Sequence, residues 1–380
     1  MRIGLFTNNY LPFRGGVTTS VESLRRGLEA LGHAVWVVAP ASPRATPDRG
    51  VLRCPAVPAA TYPEFAMPIP LSRTLRRRIR ALELDVFHAH HPFLLGPMAR
   101  AMARQARRPF VFTYHTHYEK YAHYVPLTRR LVEALAIRVS TGFAASADSV
   151  IAPSQAVRDT LRARGVTTPI TIVPTGVDVE RFRPGDRIAA RAALGVPGDD
   201  PLLLYVGRLD REKSVDRIVA AFARLHGTLP QARLALVGSG TESARLQTMA
   251  ATGPGGDRIV FWSARAHSEL PVYYQAADVF VFASQTETQG LVLAEAAACG
   301  LPVVCVAGAG CDEVVRDGET GVLTKNDPGA MADAAIALLL DRGRRATMGI
   351  RARQVAAGEF DLRTQIDRTL DLYARLTAHR

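Results

Sequence analysis

The fold of the chain is indicated first by residues 2–31, RIGLFTNNYLPFRGGVTTSVESLRRGLEAL. The apolar run Arg2–Thr7 is followed by a turn that contains Pro12 and two glycines. Apolar residues then recur at helical spacing over Val17–Leu31, and Gly32 comes directly after them. The segment therefore predicts a β-strand, a turn and an α-helix, in that order.

The same alternation returns along the rest of the chain. Apolar runs predict further strands at Ala34–Ala39, Asp85–Ala89, Pro109–His115, Ser149–Ala152, Leu202–Val206, Arg233–Val237, Arg258–Phe261, Val279–Ala283 and Pro302–Val304. Strands that alternate with helical segments predict parallel sheets with helices on both faces.

A Pro- and Gly-rich stretch divides this pattern into two halves. Residues 174–185 hold two Pro and two Gly, and we place a hinge there. The prediction is an α/β protein with two doubly wound, Rossmann-like domains, residues 1–180 and 181–360. An amphipathic helix at 361–380 is expected to pack back toward the first domain. Because ligands bind beyond the carboxyl ends of such strands, the active site is expected in a cleft that the two domains face.

Composition limits the class of protein. The chain has 380 residues, and 48% hydrophobic and 22% charged residues exclude a disordered protein. The net charge of +12 is uneven, with +13 in residues 1–184 and −1 in residues 185–380. This asymmetry predicts an anionic partner for the first half: a membrane surface, a nucleic acid or a phosphorylated substrate. The four cysteines show no C-x-x-C spacing, which favours reduced core residues of a cytosolic protein.

The segment SQTETQGLVLAEA, Ser284–Ala296, follows a predicted strand. Glu287 lies in its loop, and Glu295 comes eight residues later inside a helix. Helix-start amides suited to an anion or to sugar hydroxyls would then belong to Gln289, Gly290 and Leu291. A capped helix that carries a surface glutamate is the alternative interpretation.

A second segment, YVGRLDREKSVDRIV, places cations between a strand and a helix over Tyr205–Val219. Arg208 and Lys213 could neutralise a diphosphate as it gains charge on leaving. Lys213 is notable because the chain contains only three lysines. The alternative is a solvated charged turn. Gly15 and Gly16 could let the backbone approach a ligand closely, although they do not form the G-x-G-x-x-G of a nicotinamide site.

Six of the ten histidines are clustered in one stretch: His88, His90, His91, His115, His117 and His123. The H-x-H spacing leaves a metal-dependent hydrolase open as a rival function. No Cys or acidic ligand set accompanies the histidines at the usual spacing, so we expect no metal site. His115 ends a predicted strand, and we expect it to be a polar residue of the active site.

The segment Met67–Leu84 combines basic and apolar residues at helical spacing. Its cations are Arg73, Arg76, Arg77, Arg78 and Arg80, and its apolar stripe is Leu71, Leu75, Ile79 and Leu82. The pattern is typical of an interfacial helix on an anionic membrane, and a core-facing helix with solvated arginines is the alternative. Nucleic acid is not expected as a partner, because the basic region lacks interleaved aromatic residues.

Together these motifs resemble the retaining glycosyltransferases of family four, which have the GT-B fold. Glu287 and Glu295 match the E-x7-E motif of that family, and Gly300-Leu301-Pro302-Val303 follows as usual. The resemblance implies that Glu287, with the amides after it, holds the donor hexose and that Glu295 holds the ribose. It also implies that Arg208 and Lys213 bind the diphosphate.

The resemblance extends to residues in both halves. It implies that Gly16 lies near the phosphates, that His115 contacts the donor sugar, and that main chain near Arg265 reads the nucleobase. Ser263 stands where the family usually has Gly, so the last match is weak.

Two segments, HTHYEKYAHY at 115–124 and TETQGL at 286–291, are similar to those of bacterial diacylglycerol glucosyltransferases and related glycolipid synthases. This implies a UDP-glucose donor, a lipid acceptor and a cytoplasmic enzyme held peripherally on the inner face of the cell membrane. No metal or other cofactor is expected, since the chain lacks an Asp-x-Asp pair. GDP-mannose as donor, a soluble or polyprenyl-linked acceptor, and a sugar-nucleotide epimerase remain alternatives.

Overall fold

A computed structural model describes residues 1–13, 15–58, 65–124, 128–308 and 310–378, without the side chains of residues 122–124. The prediction made for His123 therefore lies outside the described residues.

The strands are β1 (Arg2–Phe6), β2 (Ala34–Pro40), β3 (Val51–Cys54), β4 (Ala56–Pro58), β5 (Ala66–Pro68), β6 (Val86–Ala89), β7 (Phe110–Thr113), β8 (Ser149–Ala152), β9 (Ile170–Ile172), β10 (Leu202–Val206), β11 (Arg233–Val237), β12 (Ile259–Trp262), β13 (Val279–Phe282), β14 (Val303–Val306) and β15 (Gly321–Thr324).

The helices are α1 (Gly16–Ala30), α2 (Arg73–Arg80), α3 (Leu95–Ala106), α4 (Arg129–Ala145), α5 (Gln155–Ala163), α6 (Arg187–Leu194), α7 (Val215–His226), α8 (Ser243–Thr252), α9 (Pro271–Ala276), α10 (Leu291–Ala298), α11 (Pro328–Leu340), α12 (Arg342–Glu359) and α13 (Leu362–Ala378). Short 3₁₀ turns cover Tyr118–Tyr124, Arg211–Lys213, Gly256–Arg258 and His267–Glu269.

The chain divides into two compact units. The first contains Met1–Gly176 and Leu362–Arg380, and the second contains Val177–Asp361. In the first unit, the described strands form a parallel sheet in the order β3-β2-β1-β6-β7-β8-β9, beside a small antiparallel pair, β4-β5. The strand order reverses between β1 and β6, which makes this the switch point of the sheet.

The second unit repeats the same architecture. Its described strands form a parallel sheet in the order β12-β11-β10-β13-β14-β15, and the order reverses between β10 and β13. Central strands such as β10 and β13 are buried along their whole length, as expected for apolar runs covered by helices on both faces. The prediction of an α/β protein with two doubly wound sheets is confirmed.

The carboxyl-terminal helix belongs to the first unit. Ile366, Leu372 and Tyr373 of α13 are buried with Val21 and Leu24 of α1 in one apolar cluster. Gly27 allows the two helices to approach closely, because a Cβ built there would lie 1.9 Å from Cδ1 of Ile366. The end of the chain thus completes the core of the unit that its beginning forms.

We expect Gly27→Val to weaken this packing. The added side chain must displace Ile366, and overpacking of this kind costs about 1–3 kcal/mol of unfolding free energy. Trp36 lies in the first unit and Trp262 in the second, so a Trp262→Phe background lets Trp36 fluorescence report urea unfolding of the first unit alone.

Gly142→Val is the matched control, since a Cβ at this glycine of α4 would meet nothing within 4 Å. Equal unfolding midpoints for the two variants would show that Gly27 is not a packing constraint.

Candidate active site

The candidate site of the second unit lies at the switch point between β10 and β13. The segment after β10 carries Arg208 and Lys213, and the loop after β13 carries Glu287. Parallel neighbours end at the same edge of a sheet, so these segments lie side by side. The topology thereby joins residues 74 positions apart in the sequence.

Lys213 and Glu287 form a direct ion pair. The ammonium Nζ donates to Oε1 of Glu287 at 2.6 Å, and the two side chains are 14% and 17% exposed. Burial raises the pKa of Glu287, but the charge of Lys213 and hydrogen bonds from Lys213 and Ser284 outweigh it, and the net pKa lies below the usual value. Glu287 is therefore an ionised carboxylate at neutral pH.

Arg208 is held by two buried carboxylates that the sequence interpretation did not single out. Its Nη1 donates to Asp210, and its Nη2 donates to Oε1 of Glu212 at 2.5 Å. The hydroxyl of Tyr205, at the core of β10, donates to the backbone carbonyl of Arg208 at 2.8 Å. Alternating charges in RLDREK were the available signal for both acids.

The charged side chains of the site carry a small negative formal charge in total. Two cations, Arg208 and Lys213, meet three carboxylates, Asp210, Glu212 and Glu287, so the formal sum is −1. An anionic ligand would have to share the two cations with the carboxylates. Lysine has three N–H donors and arginine has five, which makes such sharing chemically feasible.

Glu295 lies near the middle of α10 and is almost fully buried. Its Oε1 accepts a hydrogen bond from Nε2 of His267 at 2.7 Å, and its Oε2 accepts one from the hydroxyl of Tyr274, also at 2.7 Å. No sequence signal pointed to Tyr274, and His267 lay only two residues from the nucleobase segment proposed at Arg265.

The loop between the two glutamates ends where α10 begins. Gln289 and Gly290 are buried, and Gly290 has a φ of 85°, so the helix starts at Leu291 after a left-handed residue. Gly310 packs against this loop, because a Cβ there would lie 2.7 Å from the backbone nitrogen of Gln289. A residue with a Cβ at position 310 would therefore clash with the backbone of this loop.

Arg265 follows β12 on an irregular segment. Its Nε is buried and has no hydrogen-bond partner among the described residues. A buried N–H without a partner is costly, so this atom is suited to a ligand carbonyl.

The histidines of the first unit form a buried stack at the ends of β6 and β7. Nδ1 of His90 and Nε2 of His115 are 2.9 Å apart, and the ring of His90 also packs on His88 at 4.2 Å between centroids. His88 is hydrogen-bonded to the Tyr373 hydroxyl at 2.6 Å and to Oγ1 of Thr113 at 2.7 Å. His88 thus connects α13 with the sheet.

Burial keeps these imidazoles neutral. It lowers the pKa of His115 to about 4. Burial, with a smaller contribution from neighbouring His115, lowers the pKa of His88 and His91 to about 3. The pKa of His90 is also well below the usual value, first through burial and then through its histidine neighbours. At neutral pH His115 is therefore a neutral hydrogen-bonding group.

Gly16 and His117 were also singled out in the sequence of the first unit. Gly16 begins α1, and a Cβ there would meet nothing within 4 Å, so packing within the unit does not require glycine. Nδ1 of His117 lies 3.6 Å from Oε1 of Glu119. Within the described residues, no group of three or more His, Cys, Asp or Glu side chains is arranged to hold a metal ion.

The basic segment forms α2, but its apolar stripe is divided. Leu75 and Ile79 are buried in the core of the first unit, because they cover β-strand side chains, whereas Leu71 is 78% exposed. Leu75 and Ile79 therefore agree with the alternative of a core-facing helix, and the interpretation of an apolar face that contacts a membrane is wrong for these two residues. Four arginines of the helix are exposed, namely Arg73, Arg77, Arg78 and Arg80, and Arg76 is half-buried. Among the helices described, none has the length and apolar character of a membrane span.

Comparisons with known proteins agree with this architecture. The family model described as Glycosyltransferase Family 4 matches residues 14–181, and Glycosyl transferases group 1 matches residues 186–355. The alpha-monoglucosyldiacylglycerol synthase of Acholeplasma laidlawii is 33% identical over 342 residues, 86% of this chain and 86% of that protein. D-inositol 3-phosphate glycosyltransferase 1 of Catenulispora acidiphila is 35% identical over 372 residues, 93% and 88% of the two chains.

The fold is also shared with a solved structure. Sucrose-phosphate synthase from Thermosynechococcus elongatus superposes with a TM-score of 0.83 at 26% identity, and the match covers 100% of both chains. The GT-B fold expected from the motifs is confirmed.

The buried histidines predict an acid-sensitive first unit. Their folded pKa values lie below the ordinary 6.5, so between pH 6.5 and about 4 the unfolded chain binds protons that the folded unit excludes. Stability is therefore fully present above pH 6.5 and falls as the pH decreases. In the Trp262→Phe background, we expect the urea midpoint reported by Trp36 to be lower at pH 5.5 than at pH 7.5.

His91→Asn removes one of these groups and should make the pH dependence shallower, whatever its effect on stability at pH 7.5. An unchanged dependence would mean that His91 does not contribute to acid sensitivity.

Proposed function

The chain belongs to glycosyltransferase family 4, and on that premise we propose that it transfers glucose from UDP-glucose to diacylglycerol with retention of the anomeric configuration. Likeness to the alpha-monoglucosyldiacylglycerol synthase of Acholeplasma laidlawii supports this acceptor. The excess charge of +13 in residues 1–184 is suited to an anionic membrane surface. The observation that carries the proposal is the pairing of the Lys213 ammonium with Glu287 at the switch point of the second sheet.

The donor diphosphate is proposed to bind at the charged cluster of the second unit. Its oxygens would accept hydrogen bonds from Lys213 and Arg208 in competition with Glu287, Asp210 and Glu212. When the glycosidic bond to phosphate breaks, negative charge grows on the leaving diphosphate and the competition shifts in its favour. The cations thus interact more strongly with the transition state than with the bound donor, which is the requirement for catalysis.

Glu287 has a second role in this proposal. As Lys213 turns toward phosphate, the ionised carboxylate becomes an acceptor for hydroxyls of the hexose, and the backbone of Gln289, Gly290 and Leu291 supplies donors. Glu295 would hold the ribose, and backbone near Arg265 would read the base. Gly16 would leave room for phosphate at the start of α1.

The neutral state of His115 limits its proposed role. An imidazole with a pKa of about 4 is neither a cation nor an effective base at neutral pH. We assign it a hydrogen bond to the donor sugar. The acceptor hydroxyl would attack on the face from which the diphosphate leaves and pass its proton to that diphosphate. This route retains configuration and uses no metal or other cofactor.

The membrane is proposed to meet the first unit at α2 and the segment before it. The exposed arginines Arg73, Arg77, Arg78 and Arg80 would face anionic headgroups, with Arg76 at their edge. Exposed apolar side chains beside them, Leu71, Ile69 and Met67, would enter the interface. The enzyme would then act as a peripheral protein on the cytoplasmic face of the membrane.

The deciding experiment offers radiolabelled UDP-glucose or GDP-mannose to the purified enzyme, with diacylglycerol in mixed micelles or with inositol 3-phosphate. We expect label from UDP-glucose to enter the organic phase as a monoglucosyl lipid, at the same rate with and without a chelator. Label that stays in the aqueous phase as a glycosylated inositol phosphate would overturn the proposal that the acceptor is a lipid. Transfer of label from GDP-mannose but not from UDP-glucose would overturn the proposal that UDP-glucose is the donor.

We expect Lys213→Ala to lower kcat by about one to three orders of magnitude, because removing one such donor from a charged transition state costs about 3 kcal/mol. Lys325→Ala is the control, since Lys325 is an exposed lysine of the same unit. Steady-state kinetics with UDP-glucose, together with the urea midpoint reported by Trp262 in a Trp36→Phe background, separates catalysis from folding. Near-normal kcat in a folded Lys213→Ala protein would remove Lys213 from the mechanism.

We expect the double substitution Arg77→Glu and Arg78→Glu to reduce binding to vesicles that contain phosphatidylglycerol by at least about tenfold, since each cation near such a surface contributes about 1 kcal/mol. Co-sedimentation at low salt measures the effect. The control, Arg342→Glu with Arg344→Glu, makes the same charge change at exposed positions of the second unit. Equal losses in the two proteins would show that net charge, rather than α2, governs binding.

A further inference from the structure

The carboxylate of Glu295 is oriented from two sides by side chains that follow β12. His267 lies in the 3₁₀ turn His267–Glu269, and Tyr274 lies in α9. Each donates to a different oxygen of Glu295 at 2.7 Å. Glu295 itself is 2% exposed, so the plane of its carboxylate is set by these two bonds inside the second unit.

The direction of both hydrogen bonds follows from chemistry. An ionised carboxylate only accepts, so Nε2 of His267 must carry a proton. Burial, and then the negative charge of Glu295, raise the pKa of the Tyr274 hydroxyl well above its usual value, so this hydroxyl stays protonated and donates. A carboxylate offers about four acceptor positions, and these two bonds use one position on each oxygen.

Packing fixes both donors. The ring of Phe182 lies 5.0 Å from the ring of His267 and 5.8 Å from that of Tyr274, between centroids. Phe182 and Tyr274 are almost completely buried. Tyr274 therefore cannot change rotamer without disturbing the core, whereas His267, which is 30% exposed, is held by its ring contact with Phe182 and its bond to Glu295.

We propose that His267 and Tyr274 are positioning residues that aim the second acceptor position of each Glu295 oxygen at the ribose hydroxyls of the donor, and thereby make the enzyme select ribonucleotides over 2′-deoxyribonucleotides. This inference rests on the proposed function, in which Glu295 holds the ribose. Site groups oriented to bond a hydroxyl discriminate strongly against a ligand that lacks it, because the analogue leaves them unpaired.

A purely structural role makes a different prediction. If the two donors only satisfy a buried carboxylate, their removal destabilises the second unit and weakens every nucleotide equally. If they aim the carboxylate, their removal weakens the ribonucleotide more than the 2′-deoxyribonucleotide, because the analogue keeps only the 3′-hydroxyl and has fewer hydrogen bonds to lose. The ratio of the two dissociation constants therefore separates aiming from general support.

The test measures binding of UDP and 2′-deoxy-UDP by titration calorimetry to the full chain and its variants. Wild type should bind UDP at least about tenfold more tightly than 2′-deoxy-UDP, the equivalent of one hydrogen bond to a charged group. In Tyr274→Phe and His267→Phe the ratio should fall at least threefold, because the affinity for UDP decreases by a larger factor than the affinity for 2′-deoxy-UDP. Both substitutions keep an aromatic ring against Phe182.

Two further variants complete the series. His267→Gln keeps an N–H donor and should retain more discrimination than His267→Phe. Tyr273→Phe, next to Tyr274 on α9, removes a hydroxyl from a side chain whose ring packs on Trp262, and should leave the ratio unchanged. For the active enzyme, Tyr274→Phe should raise KM for UDP-glucose while kcat stays the same, because ribose binding is lost equally from ground state and transition state.

The outcomes distinguish the inference from the function beneath it. If wild type binds neither nucleotide, the proposed UDP-sugar site is wrong. If wild type binds both nucleotides equally, the ribose role of Glu295 is wrong. If wild type discriminates but Tyr274→Phe and His267→Phe discriminate equally well, or lose both ligands in parallel, the positioning role is wrong. Trp262 fluorescence, measured in a Trp36→Phe background, checks that each compared variant is folded.

Discussion

The chemistry proposed for the second unit depends on a charged cluster that forms because β10 and β13 are hydrogen-bonded neighbours. Lys213 and Glu287 meet at 2.6 Å beside Arg208, which is bound by Asp210 and Glu212. Taking such groups out of water costs several kcal/mol per ion, and well-packed apolar residues are often at least as stable in their place. The presence of five charged side chains at a strand switch point therefore favours a chemical role over a stabilising one.

A second ion cluster at the opposite end of β13 has a different character. Asp278, just before the strand, binds Arg187 at 2.8 Å and Arg191 at 2.7 Å, and also accepts from the backbone nitrogen of Leu202. It ties α6 to the amino ends of β10 and β13. The two clusters illustrate the polarity of a parallel sheet, because the amino edge carries a structural ion cluster and the carboxyl edge carries the residues proposed for the chemistry.

The first unit uses buried polarity for a different purpose. Its stacked histidines are neutral because burial disfavours their charged forms, and His88 bonds the α13 residue Tyr373. Polar groups of this kind join the last helix to the sheet while leaving His115 as an uncharged hydrogen-bonding group. The basic helix α2 likewise combines two functions, since Leu75 and Ile79 secure it in the core and its arginines remain exposed.

Local patterns in the chain were sufficient to predict the two doubly wound sheets and to place Arg208, Lys213 and Glu287 after strands and Glu295 inside a helix. Buried strands and helix starts have local signatures. Strands such as Ile170–Ile172 and Gly321–Thr324 are too short for a periodic pattern to identify them, and they pair with a neighbouring strand at the edge of a sheet. The partners Asp210, Glu212, His267 and Tyr274, and the burial of Leu75 and Ile79, were decided by tertiary structure. Hydrogen bonds and packing between distant segments depend on the register and order of strands, which no local pattern contains.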